Sequence, residues 1–89
     1  MDLPFNEDDE ADRFFHDLLD AVDQQRVSPQ TPFVAKTVDR LIREGLEEDE
    51  AREAVARCLA EETDRVLRSG RPFDLEAYRR SLDKISPGS

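Results

Sequence analysis

Apolar residues recur every three or four positions in four separate segments of this 89-residue chain. Residues at that spacing lie on one side of an α-helix, so each segment can bury a single apolar face. The segments cover about residues 14–22, 34–42, 55–66 and 75–85, and the helices predicted around them are joined by loops of roughly two to six residues. We therefore predict an all-α fold, a small irregular bundle of about four helices with short loops that make consecutive helices antiparallel neighbours.

The first apolar stripe predicts a helix over residues 10–26. It comprises Phe14, Phe15, Leu18, Leu19 and Val22. The preceding residues 1–9 are acidic, contain Pro4 and show no helical period, so we predict a disordered or loosely docked arm there. Residues 10–86 then form a single helical domain, because no linker or internal repeat divides them.

The second helix is bounded by clear start and stop signals. The run VSPQTP forms a turn, after which Thr31 is the expected N-cap and Pro32 the first helical residue. Gly45 is placed for the left-handed conformation that ends a helix, with Leu46 behind it as an apolar contact. The stripe comprises Val34, Val38, Leu41 and Ile42, with Phe33 and Leu46 at its ends.

The third helix, predicted for residues 48–68, combines an apolar stripe with a charged face and ends at Ser69-Gly70. Four acid-first pairs at i, i+4 spacing should each stabilise it by about 0.2 to 0.5 kcal/mol. They are Glu48 with Arg52, Glu53 with Arg57, Glu61 with Arg65 and Asp64 with Arg68.

The fourth helix, residues 75–84, has the clearest local signal. Asp74 is a strong N-cap, and Phe73 and Tyr78 have the spacing of a hydrophobic staple. The apolar seam comprises Leu75, Tyr78, Leu82 and Ile85.

Glu62 falls near the centre of the third apolar stripe, which comprises Val55, Cys58, Leu59 and Val66. Burying an unpaired carboxylate would destabilise the fold by roughly several kcal/mol. Glu62 must therefore reach water at a bundle edge, hold a structural partner, or serve a functional site. The candidate partners for a polar strut are Arg40, Arg43, Thr37 and the Tyr78 hydroxyl.

Charge is unevenly distributed along the chain. With 22 acidic and 13 basic residues, the net charge of −9 disfavours nucleic acid as a partner. Residues 2–12 carry six acids and no base, whereas residues 65–84 carry six bases and three acids. We predict a docking surface for an acidic peptide, or for the acidic arm itself, that comprises Arg65, Arg68, Arg71, Arg79 and Arg80.

We predict no catalytic, cofactor-binding or metal-ligating residues. The sequence has no glycine-rich phosphate loop, no paired-cysteine zinc pattern and no G-x-S-x-G elbow. Cys58 is interpreted as core packing, and His16 is predicted to be exposed. The acid pairs Asp20/Asp23 and Asp49/Glu53 could meet around a hard cation, but solvated faces are the favoured interpretation.

Two motifs carry a resemblance. The patterns RL-x-x-x-G-x-x-x-x-E-A and G-x-x-F-D-x-x-x-Y-x-x-x-L resemble those of small, uncharacterised bacterial helical proteins and domains, over about residues 30–85. The matching residues are Arg40, Leu41, Gly45, Glu50, Ala51, Gly70, Phe73, Asp74, Tyr78 and Leu82. The resemblance implies an all-helical fold and no established activity. Some similar sequences carry histidines where this chain has Asp49 and Glu53.

The leading functional hypothesis is a non-enzymatic protein–protein interaction module. A self-associating structural protein is the alternative, since the first helix has a wide apolar face, and a metal-dependent protein that uses acidic side chains is a third. We expect a monomer or weak homodimer whose partner is another protein or itself. No apolar run approaches the roughly 20 residues of a membrane span, so we expect no membrane and take the cytoplasm as the location.

Overall fold

The computed structural model describes residues 7–88, with side chains from residue 13 onward. It confirms the all-α prediction: this part of the chain holds four helices and no strand. They are α1 (Glu7–Val27), α2 (Pro32–Arg43), α3 (Glu48–Ser69) and α4 (Leu75–Asp83). Residues 7–9, assigned above to the acidic arm, belong to α1. The rest of that arm, residues 1–6, lies outside the described residues.

The two long helices, α1 and α3, run antiparallel. Asp23 of α1 pairs with Arg52, while Arg26, further along α1, pairs with Glu48, which lies earlier in α3. The short helix α2 therefore cannot be antiparallel to both neighbours, as the short loops had led us to expect. It crosses them near the C-terminal end of α1, because both of its flanking turns lead back to that end.

The core lies where α2 and α4 pack on the α1–α3 pair. Its buried side chains are Leu18, Val22, Val34, Val38, Leu41, Ala51, Val55, Ala56, Leu59, Tyr78 and Leu82. Three residues assigned to the apolar stripes are more exposed than expected: Phe14 at 54%, Leu75 at 48% and Ile42 at 40%. Phe14 lies several turns from the end of α1 that α2 covers, and Ile42 projects about 100° from Leu41 around α2.

The end of α2 confirms the predicted glycine stop. Gly45 has φ +115°, its N–H donates to the Ile42 carbonyl at 3.0 Å, and the Leu46 N–H donates to the Leu41 carbonyl at 3.0 Å. This is the double hydrogen bond of a Schellman motif, which satisfies carbonyls that would otherwise be unpaired. Gly70, with φ +73°, ends α3 in the same left-handed region.

Gly45→Ala should destabilise the fold by about 1 kcal/mol or more, because a side chain at this positive φ is strained. Gly88→Ala is the matched control: Gly88 also has a positive φ, but it lies in the last described turn, where the chain can relax. Urea unfolding followed by circular dichroism measures both variants. Equal effects at the two positions would contradict the role given to Gly45.

The predicted cap of α2 and the predicted ion pairs of α3 differ from those in the structure. Thr31 occupies the N-cap position of α2 without capping it; its hydroxyl donates instead to the Gln25 carbonyl of α1 at 2.9 Å. Of the four predicted i, i+4 pairs in α3, only Asp64 with Arg68 forms among the described ion pairs. Arg52 binds Asp23 of α1 and Asp49 instead, and Arg65 binds Glu62.

Candidate functional site: a polar strut and a basic groove

Glu62 is buried, with 8% of its side chain exposed, and its carboxylate is fully partnered. It accepts hydrogen bonds from Nε of Arg65 at 3.1 Å, from Nη2 of Arg65, and from the Asp74 backbone N–H at 3.0 Å. These bonds, those from Arg65 foremost, hold the pKa of Glu62 below its usual range against the opposing effect of burial. The geometry is that of a structural polar strut.

The strut fixes the turn between α3 and α4. Arg65 also donates to the Pro72 carbonyl at 3.2 Å, so the pair Glu62–Arg65 holds the turn at two backbone positions. Asp74 then caps α4 by accepting from the Ala77 N–H at 3.0 Å, as predicted. The direction in which α4 leaves the turn is therefore set by α3 itself.

Tyr78 and Arg40, two predicted partners of Glu62, bind elsewhere. The Tyr78 hydroxyl donates to Oε1 of Gln25 at 2.7 Å, and burial raises its pKa. Arg40 donates to Glu44 at 3.0 Å and to the Leu82 carbonyl at 3.1 Å. Arg40 therefore ties α2 to the C-terminal end of α4, whereas the strut binds at its N-terminal end.

Thr37 and Arg43, the other two predicted partners of Glu62, do not bind it either. Thr37 donates to the Phe33 carbonyl within its own helix at 2.7 Å, and Arg43 is exposed. The partner that sequence reasoning missed is Arg65, which lies three residues after Glu62 on the same side of α3. The i, i+3 spacing was the available signal, but Arg65 had been paired with Glu61.

The predicted docking surface does not form a single free basic patch. Three of its five arginines are ion-paired within the chain: Arg65 with Glu62, Arg68 with Asp64, and Arg79 with Glu76. The remaining two, Arg71 and Arg80, are exposed. The hydrogen bond from Arg79 also lowers the pKa of Glu76.

A basic groove lies instead between α2 and α4. It has a volume of about 510 Å³. One wall is a single side of α2, with residues at i, i+3, i+7 and i+10 spacing, and the other belongs to α4. The lining includes Phe33, Lys36, Arg40 and Arg43 from α2, and Arg79 and Asp83 from α4. We call this feature the α2–α4 groove.

The cations of the α2–α4 groove fall into two kinds. Arg40 is anchored by Glu44 and the Leu82 carbonyl, and Arg79 is paired with Glu76 and, at 3.5 Å, with Asp83. Lys36 and Arg43 are exposed, and neither has a carboxylate within 4 Å among the described side chains, residues 13–88. Sequence reasoning missed Lys36 and treated the arginines as parts of other sites.

One member of each predicted acid pair, Asp23 of α1 and Asp49 of α3, does meet the other, but around an arginine. Arg52 donates to both oxygens of Asp23, at 2.9 and 2.8 Å, and to Asp49 at 3.3 Å. The hydrogen bond with Asp23 raises the pKa of Arg52. Within the part of the chain that the structure describes, no group of three or more acidic, histidine or cysteine side chains could hold a metal ion.

Cys58 and His16 occupy the environments that the sequence predicted. Cys58 is half-buried against the core, and burial raises the pKa of its thiol. His16 is exposed on α1. None of the helices between residues 7 and 88 combines the length and the apolar character that crossing a membrane requires.

Comparison of the chain with protein-family models, with curated proteins and with solved structures finds no match. The resemblance of residues 30–85 to small bacterial helical proteins stays a prediction.

Proposed function

We propose that this protein is a non-enzymatic interaction module that binds an acidic segment of a partner protein in the α2–α4 groove. The observation that carries the proposal is the local reversal of charge: four basic side chains and one acidic side chain line a groove on a chain of net charge −9. A partner that is steered to this groove by charge has to carry acidic residues. We propose the cytoplasm as the location, where a single free cysteine stays reduced.

The groove combines fixed and adaptable contacts. Arg40 and Arg79 are already held by intramolecular bonds, which reduces the entropy lost when a ligand binds. Lys36 and Arg43 are free to pair with carboxylates, and half-buried Phe33 offers apolar surface between them. An acidic segment that also carries apolar residues satisfies all three kinds of contact.

A short dye-labelled peptide with Glu and Leu at helical spacing should bind the full chain, and its counterpart with Lys in place of Glu should not. Lys36→Ala combined with Arg43→Ala should weaken binding about tenfold, since each exposed ion pair contributes about 0.5 to 1 kcal/mol. Fluorescence anisotropy at about 50 mM and about 500 mM salt measures both effects, because salt screens exposed pairs.

The matched control is Arg13→Ala combined with Arg57→Ala. It changes the net charge by the same amount at exposed positions outside the groove. It should bind the Glu-Leu peptide as the unmodified chain does. Equal weakening by the two double variants would mean that only total charge matters, and the groove assignment would be wrong. A charged oligonucleotide that competes with the peptide would favour nucleic acid as the partner instead.

A further inference from the structure

The segment whose charge and apolar residues best match the α2–α4 groove belongs to the chain itself. Residues 2–12 carry six acids and no base, together with Leu3 and Phe5. This composition matches the requirement derived above for the groove, namely carboxylates accompanied by apolar side chains. We call residues 1–12 the acidic segment. Its second half opens α1, which begins at Glu7.

The groove lies at the opposite end of α1 from the acidic segment. Tyr78, which packs on Phe33 with ring centroids 5.8 Å apart, donates its hydroxyl hydrogen bond to Gln25. The two ends of α2 also lead to this region, because Thr31 bonds to Gln25 and Glu48, just after α2, pairs with Arg26. The basic side chains that line the groove therefore lie near the C-terminal end of α1.

The acidic segment starts far from the groove of its own molecule. At 1.5 Å per helical residue, the Cα atoms of Glu7 and Gln25 are about 27 Å apart. The residues before Glu7, numbers 1–6, span at most about 20 Å even when fully extended. Residues 7–12 belong to the first turns of α1. A second molecule can present the whole segment to the groove without this limit on reach.

We propose that two copies of the chain associate reciprocally, each placing its acidic segment in the α2–α4 groove of the other. This inference rests on the proposed function, because it uses the same groove. Each copy has one segment and one groove at opposite ends of α1, so a two-fold arrangement satisfies both contacts and closes the assembly. The pairing overcomes the repulsion between two chains of charge −9 only because opposite charges meet locally.

Sedimentation equilibrium of the full chain over a range of concentrations tests the proposal. The mass should rise with concentration from 10.2 kDa toward twice that value, and it should fall again at about 500 mM salt. Lys36→Glu with Arg43→Glu, and separately Asp8→Lys with Asp9→Lys, should each stay monomeric. The combined variant with all four changes should regain self-association, because the charges are exchanged between the two surfaces. Circular dichroism confirms that each variant remains helical.

Three results would overturn the proposal. The first is an unmodified chain that stays monomeric at every concentration. The second is a groove variant that associates as well as the unmodified chain, which would assign the contact to another surface such as the exposed Phe14 side of α1. The third is a folded four-change variant that stays monomeric.

The peptide experiment separates the two proposals. A monomeric chain that still binds the Glu-Leu peptide through Lys36 and Arg43 would leave the proposed function standing and remove the self-association alone. If the unmodified chain neither bound the peptide nor self-associated, the groove would not be a binding site and both proposals would be wrong.

Discussion

Tyr78→Ala is expected to lower the free energy of unfolding by about 3–5 kcal/mol, the usual cost of deleting a fully buried aromatic side chain. Tyr78 has no exposed surface and is the largest of the fully buried side chains. Its ring lies edge-to-face between Phe33 and Phe73, at centroid distances of 5.8 and 5.6 Å. Urea unfolding followed by circular dichroism measures the loss.

Tyr78→Phe is the matched comparison, because it keeps the ring and removes only the hydroxyl. The hydrogen bond to Gln25 is lost, and we expect a smaller cost of about 1 kcal/mol. In a chain of this size, Tyr78→Ala could abolish folding, whereas the phenylalanine variant remains measurable. If the alanine variant cost no more than the phenylalanine variant, the ring would not be the centre of the core.

Glu62→Leu has the second largest expected effect, a loss of about 1–3 kcal/mol, because it leaves the Asp74 N–H without its acceptor. Glu62→Gln keeps an oxygen at that position and should cost less. The exposed neighbour Glu61 supplies the control: Glu61→Leu should change stability by less than about 0.5 kcal/mol. Stabilisation by Glu62→Leu would show that the carboxylate is a misfit in the fold and not a strut.

The stabilisation by Glu62 should also depend on pH. Its pKa is lower in the folded chain than the ordinary value of 4.5, so the ionised carboxylate stabilises the fold fully above about pH 4.5. This contribution is lost as the pH falls through the lowered folded-state pKa. The stability difference between the unmodified chain and Glu62→Gln should therefore shrink below about pH 4.5. A difference that stays constant from neutral to acidic pH would contradict the pairing with Arg65.

The sequence predicted the features that depend on neighbours along the chain. The four helices, the stop at Gly45 and the cap at Asp74 follow from local spacing and residue type, and the structure confirms them. Each of these features is decided within a few residues, where the spacing of helical residues leaves few alternatives.

The partners of polar side chains depend on which helices meet, and local rules do not supply that information. Arg52 follows Glu48 at favourable spacing, yet it binds Asp23, twenty-nine residues away, because α1 packs antiparallel on α3. The α2–α4 groove has the same origin. Lys36 and Arg79 line one groove because of the direction in which α4 leaves the turn that the Glu62–Arg65 pair holds.

Mapping the binding of the Glu-Leu peptide by backbone amide chemical shifts tests the central functional claim most directly. We predict that the amides of Phe33, Lys36, Arg43 and Arg79, which line the α2–α4 groove, shift as peptide is added. The amides around the Asp23–Arg52 ion pair should stay unchanged. Shifts confined to that ion pair or to the exposed side of α1, or no shift with peptide in excess, would contradict binding in the groove.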